Sequence, residues 1–125
     1  MTGRVVIAEH ELELAYAIGH LIEQDGYDVT VFTSATAAWD DIEAHSTLRL
    51  LLTDIKFPSE QPNGFMLAQH ARMHHRGVQV IFMTRYPDAA KLISLKRDGP
   101  LMMKPCDADV PMMYVRELVP LTKAV

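Results

Sequence analysis

The sequence predicts an α/β chain built as a parallel sheet of five strands with helices on both faces. Three observations predict it. Short apolar runs alternate with segments of helical periodicity along the whole chain. Several of those runs show no polar alternation, as expected of strands buried on both faces. The connections are too short for anything but local crossovers, and a strand that returns by a local helical crossover lies parallel to the one before it.

The elements follow in order. Arg4-Val5-Val6-Ile7-Ala8 reads as a first, fully buried strand. Over residues 11–24, Leu14, Ile18, Leu21 and Ile22 share one helical stripe, and Gly26 follows where helices commonly stop. Tyr27, Val29 and Val31 alternate with Asp28 and Thr30, which suits a half-exposed edge strand. Ser34 is placed to cap a helix carrying Ala38, Trp39 and Ile42. Leu48 to Thr53 is a buried strand interrupted only by Arg49, and the Pro- and Gly-containing stretch 56–64 is a loop. A helix with Leu67, Ala68 and Ala71 on one face comes next, then a buried strand over 78–83 and a helix over 88–97 closed by Gly99. Leu101-Met102-Met103 is a short strand, and Asp107 is expected to cap a last helix whose early Pro111 is tolerated in its first turn.

Bulk properties set the limits. A chain of 125 residues suits one domain, expected over residues 1–125, and 49% hydrophobic with 22% charged residues is ordinary for a soluble globular protein. A net charge of −4 argues against direct nucleic-acid binding, which needs a basic surface to neutralise phosphates. The lone Cys106 cannot form an internal disulfide and favours a reducing, cytoplasmic compartment. No apolar run reaches the roughly 18 residues of a membrane span, and none resembles a signal peptide, so no membrane association is expected.

In parallel α/β sheets, ligands and chemistry collect at the carboxyl ends of the strands. That rule selects Glu9 and His10 after the first strand, Asp54 after the third, Thr84 after the fourth and Lys104 after the fifth. Each is polar and directly follows an apolar run. Taken singly, Asp54 and Thr84 are ordinary helix caps or loop residues, and Lys104 an ordinary solvated strand end. Together, a carboxylate nucleophile, a hydroxyl and a fixed ammonium suit a phosphoryl group, whose charge sits on three equatorial oxygens. Acidic neighbours such as Glu9 suit a hard divalent cation that screens the phosphate from Asp54.

Over essentially its whole length the chain is similar to response-regulator receiver domains. The resemblance rests on Val6-Ile7-Ala8-Glu9-His10-Glu11, Leu51 through Pro58, Asn63-Gly64, Val80-Ile81-Phe82-Met83-Thr84 and Lys104-Pro105. It implies a single doubly wound, flavodoxin-like sheet with strand order 2-1-3-4-5. It also implies that Asp54 is the phosphorylated aspartate, Thr84 the hydroxyl that turns toward the phosphoryl group, and Lys104 the ammonium that pairs with it. Glu9 and His10 fall at the metal-binding acidic pair, Asp54 is a further metal ligand, and Lys56 supplies a backbone carbonyl to the metal. The implied cofactor is Mg²⁺.

The chain departs from the family pattern at three places. His10 replaces the carboxylate that binds the metal directly, so Mg²⁺ binding is expected to be weak or another divalent metal preferred, because imidazole suits softer ions. Leu101 replaces the aromatic that swings inward on activation. Arg85, a long cation beside Thr84, either gates the site or lies on the surface. Elsewhere, His70 and His74 are one helical turn apart with His75 nearby, but no acidic or Cys partner stands in that segment, and a solvated helix face is expected. Trp39 reads as a core anchor, Cys106 as a small buried hydrophobe, and Met102, Met103, Met112 and Met113 as core filler or an adaptable contact surface.

The expected function is a phospho-acceptor receiver of a two-component system, a self-phosphorylating domain with no turnover. It takes its phosphoryl group from a sensor histidine kinase or phosphotransfer protein and signals to a downstream protein partner, with a homodimer a further option. The alternative is a phosphorylation-independent pseudo-receiver. A flavodoxin-type nucleotide binder would need a Gly- or Ser/Thr-rich loop where Glu9 and His10 stand. A turnover phosphatase with an aspartyl nucleophile would want a second acid at Lys56.

Overall fold

The computed structural model describes residues 4–45, 47–58, 62–94, 98–104, 107 and 109–121. The elements are β1 (Arg4–Ala8), α1 (Leu12–Gln24), β2 (Asp28–Phe32), α2 (Ala35–Ala44), β3 (Leu50–Asp54), α3 (Gly64–His74), β4 (Gln79–Thr84), α4 (Pro87–Ala90), β5 (Leu101–Met103) and α5 (Val110–Leu118). All five strands are parallel, in the order β2-β1-β3-β4-β5, as expected.

Successive side chains of a strand point to opposite faces, and here both faces are covered. Val6, Ala8, Leu51, Val80 and Phe82 face one layer with Ala38 and Ile42 of α2 and Leu67 and Ala71 of α3. Val5, Ile7, Leu50, Leu52, Ile81 and Met83 face the other with Ile18 and Ile22 of α1 and Met112 and Val115 of α5. This double burial is why the central strands read as unbroken apolar runs. The edge strand β2 is only partly covered, in keeping with its alternation.

Helix termini follow local chemistry. The Ser34 hydroxyl accepts from the Ala37 N–H at 3.3 Å, and Gly26 closes α1 with φ 105°, a left-handed conformation that only glycine adopts freely. Two expectations are corrected. The helix expected over 88–97 is observed as Pro87–Ala90 only; beyond it Leu92 and Ile93 bond three residues back, and the Ser94 N–H turns to the Asp98 carboxylate at 2.8 Å. A side chain that satisfies a backbone donor in this way competes with helix continuation. Residues 95–97 lie outside the described residues. Asp107 does not cap the last helix: α5 starts at Val110 after Asp109, and it is the Asp107 carbonyl that accepts the Val110 N–H at 3.0 Å.

The methionines divide by position. Met102 and Met112 are core, whereas Met103 and Met113 are exposed. His75 is structural: its Nδ1 accepts the Leu48 N–H at 3.2 Å and its Nε2 donates to the Ile42 carbonyl at 2.8 Å. One imidazole thereby ties the end of α3 to α2 and to the approach to β3. Leu48 and Arg49, expected in the strand, precede it: Leu48 spends its N–H on His75, and the Arg49 N–H bonds the Arg4 carbonyl at the start of β1.

Candidate functional site

The carboxyl ends of β1, β3, β4 and β5 converge, and the residues that leave them are buried although polar: Glu9, Asp54, Thr84 and Lys104. Backbone bonds fix their places. The Glu9 N–H donates to the Phe32 carbonyl, the Ile55 N–H to Met83, and the Lys104 N–H to Thr84, at 2.8 to 3.0 Å. Gly64, the first residue of α3, is pressed against the reactive corner, with its N–H on the Ile55 carbonyl at 2.8 Å. A methyl group there would fall on the Asp54 carbonyl oxygen and come within 2.9 Å of the Ile55 Cα.

The charges are interlocked. The Lys104 ammonium pairs with the Glu9 carboxylate and lies 2.9 Å from Asp54 Oδ1. His10 Nδ1 contacts Asp54 Oδ2 and lies 3.5 Å from Glu9 Oε2. The second Glu9 oxygen accepts the Glu11 N–H at 2.9 Å. Burial first, and then the neighbouring Asp54, push the Glu9 carboxyl up to about 7, with Lys104 opposing. Thr84 holds its hydroxyl under the Tyr86 N–H at 3.1 Å. Lys56 directs its ammonium over the Tyr86 ring, 4.7 Å from the centroid, away from the carboxylates. Pro105 and Cys106 lie outside the described residues.

Two participants were not evident from strand ends. Glu11 pairs with Arg85 across the mouth of the site and reaches within 3.8 Å of the Lys104 ammonium. Arg85 is thus held at the rim by an acid from the loop after β1. Gly64 is the other; a Gly after an Asn at a helix start signals a turn, but its approach to Asp54 is visible only in three dimensions.

Residues 5–112 match the family model of the response regulator receiver domain. The chain belongs to that family. A curated relative, the response regulator receiver protein CpdR of Brucella abortus (strain 2308), is 27% identical over 122 residues, covering 93% of this chain and 90% of that protein. A CheY-like response regulator receiver domain protein from Methanospirillum hungatei JF-1 superposes with TM-score 0.80 at 24% identity over 94% of this chain and 93% of that one. The response regulator protein TrrA from Thermotoga maritima, solved in complex with Mg²⁺–BeF, superposes with TM-score 0.78 at 17% identity over 94% of this chain and all of that one. Likeness at these identities shows the fold.

The receiver's donor set can be tested against a divalent cation. Ligand atoms of Glu9, His10 and Asp54 all lie within 4.8 Å of one another. Two carboxylates suit a hard ion, and burial makes their mutual repulsion costly enough that a cation is welcome. The imidazole is the misfit: it supplies nitrogen and no charge where Mg²⁺ prefers oxygen. The site therefore fits a divalent cation in general better than Mg²⁺ in particular. His10→Asp is expected to tighten Mg²⁺ binding at least 10-fold in calorimetric titration; equal affinities would mean that Glu9 and Asp54 alone set it.

Proposed function

We propose that the receiver accepts a phosphoryl group on Asp54 from a sensor histidine kinase or phosphotransfer protein, in the cytoplasm, and signals by protein contacts without turnover. The observation that carries this reading is the buried Lys104 ammonium, 2.9 Å from Asp54 Oδ1, at the meeting point of four strand ends. A carboxylate oxygen of Asp54 attacks phosphorus, the bond from phosphorus to the donor's imidazole nitrogen breaks, and the imidazole leaves with the electron pair. Lys104 stays beside the acyl phosphate to balance its charge, and the Thr84 hydroxyl, released from the Tyr86 N–H, donates to a phosphoryl oxygen. A divalent cation bound by Glu9, Asp54 and the Lys56 carbonyl would screen the incoming anion. TrrA, solved with Mg²⁺–BeF, is a fold relative consistent with that use.

His10 imposes a condition. Both Asp54 oxygens are engaged, one by Lys104 and the other by His10, so phosphorylation requires the imidazole to turn aside. That contact is also the observation favouring the second reading, a phosphorylation-independent interaction module. Acetyl phosphate or beryllofluoride with Mg²⁺ or Mn²⁺ decides between them. A single adduct by intact mass is expected, absent in Asp54→Asn; no adduct with either metal would leave the module reading, and an adduct surviving in Asp54→Asn would place the site elsewhere.

The output is expected to stay near the site. Leu101 is partly buried and lines a cleft of about 310 Å³ with Ile93, Gly99, Pro100 and Tyr114. An aliphatic side chain there can only repack, so little of the free-energy difference between states comes from it. Amide shifts on adding beryllofluoride should concentrate in the loops after β3 and β4. Large shifts along α5 that vanish in Leu101→Ala would make Leu101 the switch.

A further inference from the structure

Away from the strand ends, the α2–α3 face carries a second constellation. His70 and His74 are four residues apart on α3, their ring centroids 4.5 Å apart and their planes at 67°. The acidic partner missing from that segment comes from the neighbouring helix: Glu43 of α2 brings a carboxylate oxygen within 4.8 Å of both imidazoles. His70 is not solvated, contrary to the expectation for this face. It is only 6% exposed, and its ring stacks on Trp39 at 3.6 Å with 6° between planes.

His70 Nε2 is buried and meets no hydrogen-bond partner among the described residues. A buried polar nitrogen without a partner is costly, and it needs an explanation in a chain that satisfies both nitrogens of the adjacent His75. Burial, and after it the nearby His74, lower the His70 pKa, while the Glu43 carboxylate opposes that fall.

We propose that Glu43, His70 and His74 form a site for a borderline divalent transition cation such as Zn²⁺ or Co²⁺, bridging α2 and α3. Two imidazoles four residues apart on one helix face and one carboxylate are a donor set that such ions take in tetrahedral geometry, leaving one position for water. Ligands about 2.1 Å from a tetrahedral ion stand roughly 3.4 Å apart. The 4.8 Å span therefore closes by side-chain rotation at Glu43 and His74, both exposed, while the buried His70 stays fixed. The site is separate from the Glu9–His10–Asp54 cluster and does not depend on phosphorylation.

Trp39, the chain's one tryptophan, reports on it directly. Titrating Co²⁺ into the full chain should quench Trp39 emission in a single saturable phase, because an open-shell ion would sit one imidazole away from the indole, with any ion taken up at the Glu9–His10–Asp54 cluster adding to the stoichiometry and not to that phase; excess Zn²⁺ should restore the emission by displacement. His74→Ala and Glu43→Gln, both changes at exposed positions, should each weaken Co²⁺ and Zn²⁺ binding at least 10-fold by the same titration. His10→Ala should leave it unchanged. Unaltered affinity in both His74→Ala and Glu43→Gln, or loss of binding in His10→Ala, would overturn the proposal.

Discussion

Replacing Lys104 with methionine is expected to destabilise the receiver by about 3 kcal/mol at pH 8 and by much less at pH 6. Lys104 is the one described cation within reach of both buried carboxylates, paired with Glu9 and 2.9 Å from Asp54 Oδ1. Removing one partner of a buried ion pair leaves the other charge uncompensated, and here it leaves two like charges facing each other. The pH dependence comes from Glu9. Its carboxyl is raised from 4.5 to about 7, chiefly by burial. A carboxyl raised by folding favours the fold fully below its unfolded value of 4.5, and that contribution fades as pH rises through about 7. At pH 6 the Glu9 carboxyl is already largely protonated, so removing the ammonium strands little charge, whereas at pH 8 it is ionised and losing Lys104 leaves it uncompensated beside Asp54. Urea denaturation of wild type and Lys104→Met at both pH values measures the difference, with a fall in Tm on the order of 10 °C at pH 8 as a second readout. A divalent cation should recover part of it. An equal loss of stability at pH 6 and pH 8 would show that the ammonium matters for packing and not for charge.

Gly64→Ala is expected to lower stability by about 3 kcal/mol and to slow phosphorylation by acetyl phosphate by roughly 10- to 100-fold. The added methyl meets backbone on every side: the Asp54 carbonyl oxygen, the Asp54 carbonyl carbon at 3.0 Å and the Ile55 Cα at 2.9 Å. None of these is a flexible side-chain end, so the start of α3 or the end of β3 must move. Since Asp54 is the proposed nucleophile, the movement displaces the reacting atom itself. Gly77→Ala is the control. It has φ +78° with nothing within 4 Å of an added methyl, so it carries only the left-handed penalty of about 1–2 kcal/mol and leaves phosphorylation unaffected. Phosphorylation slowed equally in both variants would remove the steric argument.

The fold and half of the site were legible in the sequence because their signals are local. Strand and helix periods are set by side chains a few residues apart, and caps and turns by their immediate neighbours. Double burial left β1, β3 and β4 as apolar runs, and each run was followed by the polar residue that the sheet then carried to a common edge. With Lys104 after β5, that rule groups Asp54, Thr84, Lys104, Glu9 and His10 from the sequence alone. The strand order was not local, and came from resemblance to receiver domains.

Other features needed the chain folded. Whether Lys104 is a solvated strand end or a buried counter-ion depends on the register between β1, β3, β4 and β5, which brings residue 104 to residues 9 and 54. Glu43 supplies the acid that His70 and His74 lack only because α2 packs on α3. His75 and His70, five residues apart and identical in composition, differ because one finds both its partners in the Leu48 N–H and the Ile42 carbonyl while the other keeps a buried nitrogen unpaired. α4 ends at Ala90, beyond which Leu92 and Ile93 tighten to bonds three residues back and the Ser94 N–H meets the Asp98 carboxylate, a contact with a residue four places on. Sequence determined which residues stand at the ends of elements; packing decided their charge partners, because an ion pair or a ligand set is a property of distances between segments and not of spacing along one.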